Sequence, residues 1–193
     1  MPFISKIFDN ILMVIAISRG TYYIIFYKLF SVNVKIDFPF IAYAEVNISG
    51  PGKVHIGRRC TVVNNVFKGL SITTLSKNAY VTIGDRCLLG GLTIRCKSSV
   101  SIGNKSMTAV SLIQDVLCVN DNLNYIDSAV PIVIGENVWL GAHVCVLSGS
   151  VIANDSVIAA CSTAYFTEVN EHSLYIGNFK RALPISKIIE MRK

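Results

Sequence analysis

Charge is scarce in this chain. Only 16% of its 193 residues are Asp, Glu, Lys or Arg, well below the roughly 25% of an ordinary soluble domain. The net charge of +6 is scattered. Its densest clusters are the pairs Arg58–Arg59 and Lys180–Arg181 and the tail Arg192–Lys193. That pattern lacks the basic stripe of a nucleic-acid reader, and it suits small anionic molecules or an anionic surface. Histidine is rare, with three residues, and tryptophan rarer still, with one. The six cysteines form no C-x-x-C pair and no His stands at ligand spacing from them, so no metal is expected. They read as small apolar fillers of a reduced, intracellular protein. A hydrophobic content of 52% excludes a disordered polymer and suffices for one domain with a sizeable core.

No uninterrupted apolar run reaches the ~20 residues of a spanning helix. Residues 1–30 instead hold two apolar blocks, Ile11–Ile17 and the aromatic-rich Tyr22–Phe30, divided by Arg19 and Gly20. They predict a pair of amphipathic helices. The favoured reading packs them on the core or on an oligomer partner. Peripheral contact with a membrane, with Lys6, Arg19 and Lys28 near headgroups, is the second.

What the chain does have is a period of six. Ile134, Leu140, Val146, Ile152 and Ile158 recur at that interval, and two residues ahead of each run Ile132, Val138, Val144, Ser150 and Ser156. A helix repeats at 3.6 and a strand at 2, so neither accounts for six. A coil of short strands joined by tight corners does, with one inward aliphatic per side and stacked turns sharing a core. The pair Ile-Gly at 56, 83, 102 and 134 marks successive turns. With three sides of six, one turn is 18 residues. The 19-residue step from Ile83 to Ile102 is regular, while the 27 residues from Ile56 to Ile83 hold an irregularity. The 32 residues from Ile102 to Ile134 place an extruded, Asn- and Asp-rich loop between Ile113 and Pro131. Residues 31–183 are expected to form this coil. Residues 184–193 should follow as a short capping helix opened by Pro184.

The segments PIVIGENVWLGAHVCVL (131–147), GSVIANDSVIAACS (149–162) and SLYIGNFKR (173–181) resemble the hexapeptide-repeat acyltransferases. The resemblance covers roughly residues 45–190. It implies an all-β, left-handed parallel β-helix, usually trimeric, binding acetyl-CoA between neighbouring coils. It further implies acetyl transfer to a sugar hydroxyl of a bacterial surface polysaccharide or its precursor, in the cytoplasm or at the inner face of the membrane. Carried onto this chain, it places Trp139, Gly141, Ala142, Ala160, Ser162, Gly177, Asn178, Lys180 and Arg181 at the coenzyme. Phe179 replaces a usual proline.

The chemistry needs a base for the hydroxyl proton, donors for the oxyanion, and close positioning. The family's base is a His in the loop before the P-I-V-I-G run, and residues 104–142 contain none. The candidates are then Asp115 at the loop's root and His143 after the Gly141–Ala142 corner, with Trp139 helping to build the site. His55 and His172 read as surface residues. Two alternatives stay open: a silent homologue serving as a binding or scaffold subunit, and an amino-sugar N-acetyltransferase.

Overall fold

A computed structural model describes residues 2–63, 69–119, 125–177 and 181–184, with side chains described for 10–63, 69–116 and 128–177. After helix α1 (Pro2–Phe30) the chain winds into a triangular coil of about six turns, a left-handed parallel β-helix. One side is a seven-stranded parallel sheet, and a twelve-stranded sheet wraps the other two sides.

The Ile-Gly markers stack in register. Ile56 pairs with Ile83, Ile83 with Ile102 and Ile102 with Ile134, so each irregular interval is still one turn. Both inward rows of the six-residue period are buried, from Ile132 through Ser156 and from Ile134 through Ile158. Surplus residues leave at corners, where no ladder hydrogen bond is lost. In the 27-residue step the strands Cys60–Val62, Leu70–Thr74 and Tyr80–Ile83 keep register, and the described part of its excess lies at 75–79. The 32-residue step sheds it as a hairpin rather than a plain loop. Val116–Val119 pairs antiparallel with Tyr125–Ala129, and its connecting residues 120–124 lie outside the described set.

One corner is built from left-handed residues on successive turns: Arg59, Arg86, Lys105, Asn137, Asp155 and His172, all with φ between 53° and 59°. Asn and Asp tolerate this region, whereas Arg and Lys enter it at a cost. Ladder bonds offset that cost. Arg58 N donates to Asp85 Oδ1 at 2.8 Å, Asp85 N to Asn104 Oδ1 at 2.7 Å and Glu136 N to Asn154 Oδ1 at 2.8 Å. The next residue inward supplies a second ladder. Cys60 Sγ, Cys87 Sγ and Ser106 Oγ donate to the carbonyls of Gly84, Gly103 and Gly135 one turn on, at 3.0–3.3 Å. Thiol and hydroxyl thus do the same task. Cys60, Cys87 and Cys96 are buried as expected, but Cys161 is exposed on another corner, so it is no core filler.

The N-terminal region departs from expectation. It is one continuous helix, not two. Gly20 does not break it, because Gly20 is the crossing point: a Cβ there would collide with the Phe40 carbonyl oxygen. Tyr23 and Tyr27 sit on the same face and finish the open edge of the first turn. Val46 N donates to Tyr23 Oη at 3.2 Å and Ile48 N to Tyr27 Oη at 2.8 Å. An uncovered sheet edge invites association. At the far end Arg181–Pro184 pairs antiparallel with Ser173–Ile176. Pro184 is the last residue of that strand, and the capping helix expected after it, over 185–191, lies outside the described residues.

Two predictions follow from these contacts. Gly20→Ala should destabilise the protein by about 1–3 kcal/mol in denaturant titration, the usual cost of forced overpacking, because backbone occupies the space its Cβ needs. On the first side, His55 Nε2 meets Asp37 Oδ2 at 2.9 Å. That hydrogen bond, with Lys35 beside it, holds the Asp37 carboxyl below its ordinary value. A depressed carboxyl contributes stability that is present above the unfolded value near 4 and is lost as pH falls through the folded one. Asp37→Asn should therefore flatten the fall of stability with acidification below about pH 4, read as midpoint against pH.

Candidate active site on the last turns

The residues expected at the coenzyme fall mostly on one corner, where the second side of the coil bends into the third. Earlier turns round this corner as continuous strands, Leu88–Cys96 and Met107–Gln114. On later turns the corner opens. Thr108 pairs with Leu140 but Leu112 with Cys145, so the coil-to-coil offset grows from 32 to 33 residues across it. The extra residue belongs to Gly141–Ala142–His143. The following turn keeps it, with 18-residue offsets on both sides of the corner.

Left-handed residues again hold the bend: Gly91, Val110, His143 and Cys161. His143 N donates to Val110 O and Cys161 N to Ala142 O, each at 2.8 Å. At the step in corner width lies a groove of about 290 Å³, lined by Gly91, Thr93, Val110, Ser111, Leu112, His143, Val144 and Cys145. His143 is exposed on its rim. Ala142 and Ala160 are exposed too, presenting only methyls and leaving backbone approachable. Gly141 is buried for a packing reason, since a Cβ would stand 2.7 Å from Ala160 N.

Trp139 stands just before this corner, on the outer face of the second side and half exposed. It lies in an outward apolar row, Leu88–Met107–Trp139–Val157–Leu174, one residue per turn. Leu88, Met107 and Trp139 are each at least 38% exposed. Ser162 and Gly177 come together further along, with Gly177 N donating to Ser162 Oγ at 3.0 Å. Ser162 is buried, so it staples the corner to the final turn. Asn178 and Lys180 lie outside the described residues, and of Arg181 only the backbone is described.

Asp115 is elsewhere. It roots the hairpin at the third corner and is fully buried. Lys97 N donates to its Oδ1 and Ser98 N to its Oδ2, both at 2.7 Å, and Cys96 Sγ reaches Oδ2 at 3.4 Å. Its carbonyl accepts from Val130 N and from Ser148 Oγ. Both carboxylate oxygens are thus engaged by neighbours, which presents no free face to an acceptor hydroxyl. The geometry makes Asp115 a clamp that locks the hairpin's two ends to adjacent turns. Its place at the loop root is legible in the sequence, whereas these partners, 17–19 residues back, leave no local signal. Burial, with the Asp115 charge second, pushes the Cys96 thiol up to about 12. His55 and His172 lie on other faces, beside Asp37 and 3.9 Å from Asp155 respectively. Among the described residues no group of three or more His, Cys, Asp or Glu could hold a metal.

Comparisons with known proteins agree with the repeat. Residues 131–163 match the family described as bacterial transferase hexapeptide (six repeats), and residues 80–107 match the hexapeptide repeat of succinyl-transferase. A Staphylococcus aureus (strain COL) protein named "Putative acetyltransferase SACOL2570" is 46% identical over 52 residues, which is 27% of this chain and 26% of that protein. This chain therefore aligns with about a quarter of that relative's length. Among solved structures, a mutant of AntD, an N-acyltransferase from Bacillus cereus in complex with dTDP and coenzyme A, superimposes with a TM-score of 0.51 at 16% identity. That likeness covers 86% of this chain and 91% of that one, and it bears on the fold alone. The polySia-specific acetyltransferase NeuO gives 0.49 at 21% identity, over 79% and 78%. Residues 80–107 and 131–163 thus match hexapeptide repeats, and in those segments and in fold the chain is similar to hexapeptide-repeat acyltransferases.

Removing the clamp should be costly. Asp115→Ala removes the acceptor of two part-buried N–H groups, those of Lys97 and Ser98, and should lower the unfolding midpoint by an amount equivalent to about 1–3 kcal/mol in total. Thiol labelling of the native wild type at pH 8 should modify exposed Cys161 quickly and Cys96 only after denaturation. Fast labelling of Cys96 in the folded wild type would contradict its burial.

Proposed function

We propose that this chain is an acetyltransferase that uses acetyl-CoA as co-substrate and acetylates a sugar hydroxyl of a surface polysaccharide or its precursor. The observation that carries this reading is the shared corner. Trp139, Gly141, Ala142, His143 and Ala160 lie together where the coil steps outward beside a groove. A slender, polar arm such as pantetheine fits along Ala142 and Ala160, which expose only methyls, because it can reach backbone groups there. The resemblance of residues 131–162 to acetyl-CoA-dependent members supports the same reading.

His143 takes the role of base. It stands four residues from Trp139 on the same turn, exposed at the rim of the groove, and an imidazole nitrogen can take a proton and give it back. The acceptor oxygen adds to the thioester carbonyl carbon as His143 takes the hydroxyl proton. The tetrahedral oxyanion then collapses and the C–S bond breaks. The imidazolium returns its proton to the leaving thiolate, giving an acetate ester and free coenzyme A thiol. No metal enters this scheme. Backbone N–H groups are the natural oxyanion donors.

A homotrimer is part of the proposal. The outward row Leu88–Met107–Trp139 would otherwise leave apolar side chains in water, and a neighbouring coil laid along it would complete the coenzyme groove. A second reading has its own observation. The extruded segment carries no His, so a silent homologue that binds coenzyme or saccharide without turnover is the alternative.

The test is thiol release from acetyl-CoA over a panel of saccharides, with amino and hydroxy forms of each sugar compared. The proposal predicts turnover on hydroxy acceptors. His143→Ala should lower kcat by about 10²–10⁴ with KM for acetyl-CoA little changed. Preference for the amine would make it an N-acetyltransferase. Coenzyme binding with no turnover on any acceptor would favour the silent reading.

A further inference from the structure

Helix α1 offers a surface that nothing else in the structure uses. Between Asn10 and Phe30 it is long and apolar enough, by length and composition, to cross a membrane, and most of it is exposed. One face is committed to the coil through Ala16, Gly20, Tyr23 and Tyr27. A helix fixed to the body along half its length cannot also thread a bilayer. At 3.6 residues per turn the opposite face carries Ile11, Val14, Ile15, Tyr22, Ile25 and Leu29, each 49–72% exposed.

Two further features say what covers that face. Residues 11–15 are exposed on every side, at 45–63%, although all five are apolar. A protein groove or a second copy covers a narrow flank of a helix, whereas a fluid lipid layer closes over as much of a protruding apolar end as lies below the headgroups. The charge pattern agrees. Asn10–Phe30 contains no acidic residue, and its two charges are Arg19 and Lys28. They fall on the two flanks between the packed face and the apolar face. Arg19 Nη1 donates to Tyr43 O at 3.0 Å, which ties it to the coil at that boundary and leaves its other guanidinium N–H groups for headgroups. Lys28 stands on the opposite flank, where a long basic side chain reaches headgroups while its stem stays apolar. Tyr22 and Phe26, stacked with centroids 5.8 Å apart, supply the aromatic content usual at such a boundary.

We propose that α1 is an in-plane anchor that docks the coil on an anionic lipid surface. Its apolar face lies below the headgroups, and Arg19 and Lys28 lie among them. The anchor is independent of the acyl-transfer reading and would hold if the protein were silent.

The full-length protein is tested by flotation with phosphatidylcholine vesicles, with and without phosphatidylglycerol. Gel filtration runs in parallel. Wild type should float with the anionic vesicles, and binding should weaken roughly tenfold or more on neutral ones, in line with two basic contacts. The double variant Ile15→Glu/Ile25→Glu should lose about a hundredfold or more in partitioning while keeping its gel-filtration size. In a Val14→Trp variant the new indole should be quenched by brominated lipid. Absence of wild-type flotation, or of that quenching, overturns the proposal. So does a double variant that falls to a smaller assembly while wild type ignores vesicles, since the face would then join copies of this chain.

Discussion

Everything in this molecule depends on the parallel hydrogen-bond register between successive turns. A short strand of two to four residues has no stability alone. Each gains it from a neighbour one turn away on either side, and from an aliphatic column such as Ile56–Ile83–Ile102–Ile134 that never leaves register. The inward columns bury surface, and the amide ladders satisfy the backbone that this burial dehydrates. Because register is strict, insertions can leave only at corners. The coil is therefore a frame in which corners vary and sides do not.

The chemistry proposed here follows from that division. The third corner extrudes a hairpin and spends a buried carboxylate, Asp115, to tie its two ends to adjacent turns. The second corner gains a single residue at Gly141–Ala142–His143, and that small change creates a ledge, a groove and an exposed imidazole. The first corner stays uniform and is laced by Asp, Asn and Glu side chains. The two ends are closed differently, by tyrosine hydroxyls from α1 at the start and by an antiparallel strand at the finish.

The period of six was readable because inward aliphatics and Gly corners leave a trace at every turn. Even the irregular intervals of 27 and 32 could be assigned to single turns from Ile-Gly alone. Other features left no such trace. Gly20 between two apolar blocks reads as a breaker, and only the proximity of Phe40 shows it to be a contact glycine inside one helix. Asp115 in an Asn- and Asp-rich stretch reads as a loop residue that could act as a base. Its partners lie 17–19 residues back, at Cys96, Lys97 and Ser98, and no local pattern announces them. His143 was recognisable as a candidate because it follows the small-residue pair of a marked corner. The wider bend that sets it outward emerges only when the registers of two sides are compared.

The central claim is that the widened corner of the last turns holds the thioester. A crystal structure of the protein with coenzyme A or a non-hydrolysable acetyl-CoA analogue tests it most directly. The account predicts the pantetheine arm along Ala142 and Ala160, with the sulfur end within reach of the His143 imidazole. A coenzyme bound along another side of the coil, with its sulfur end away from His143, would contradict it.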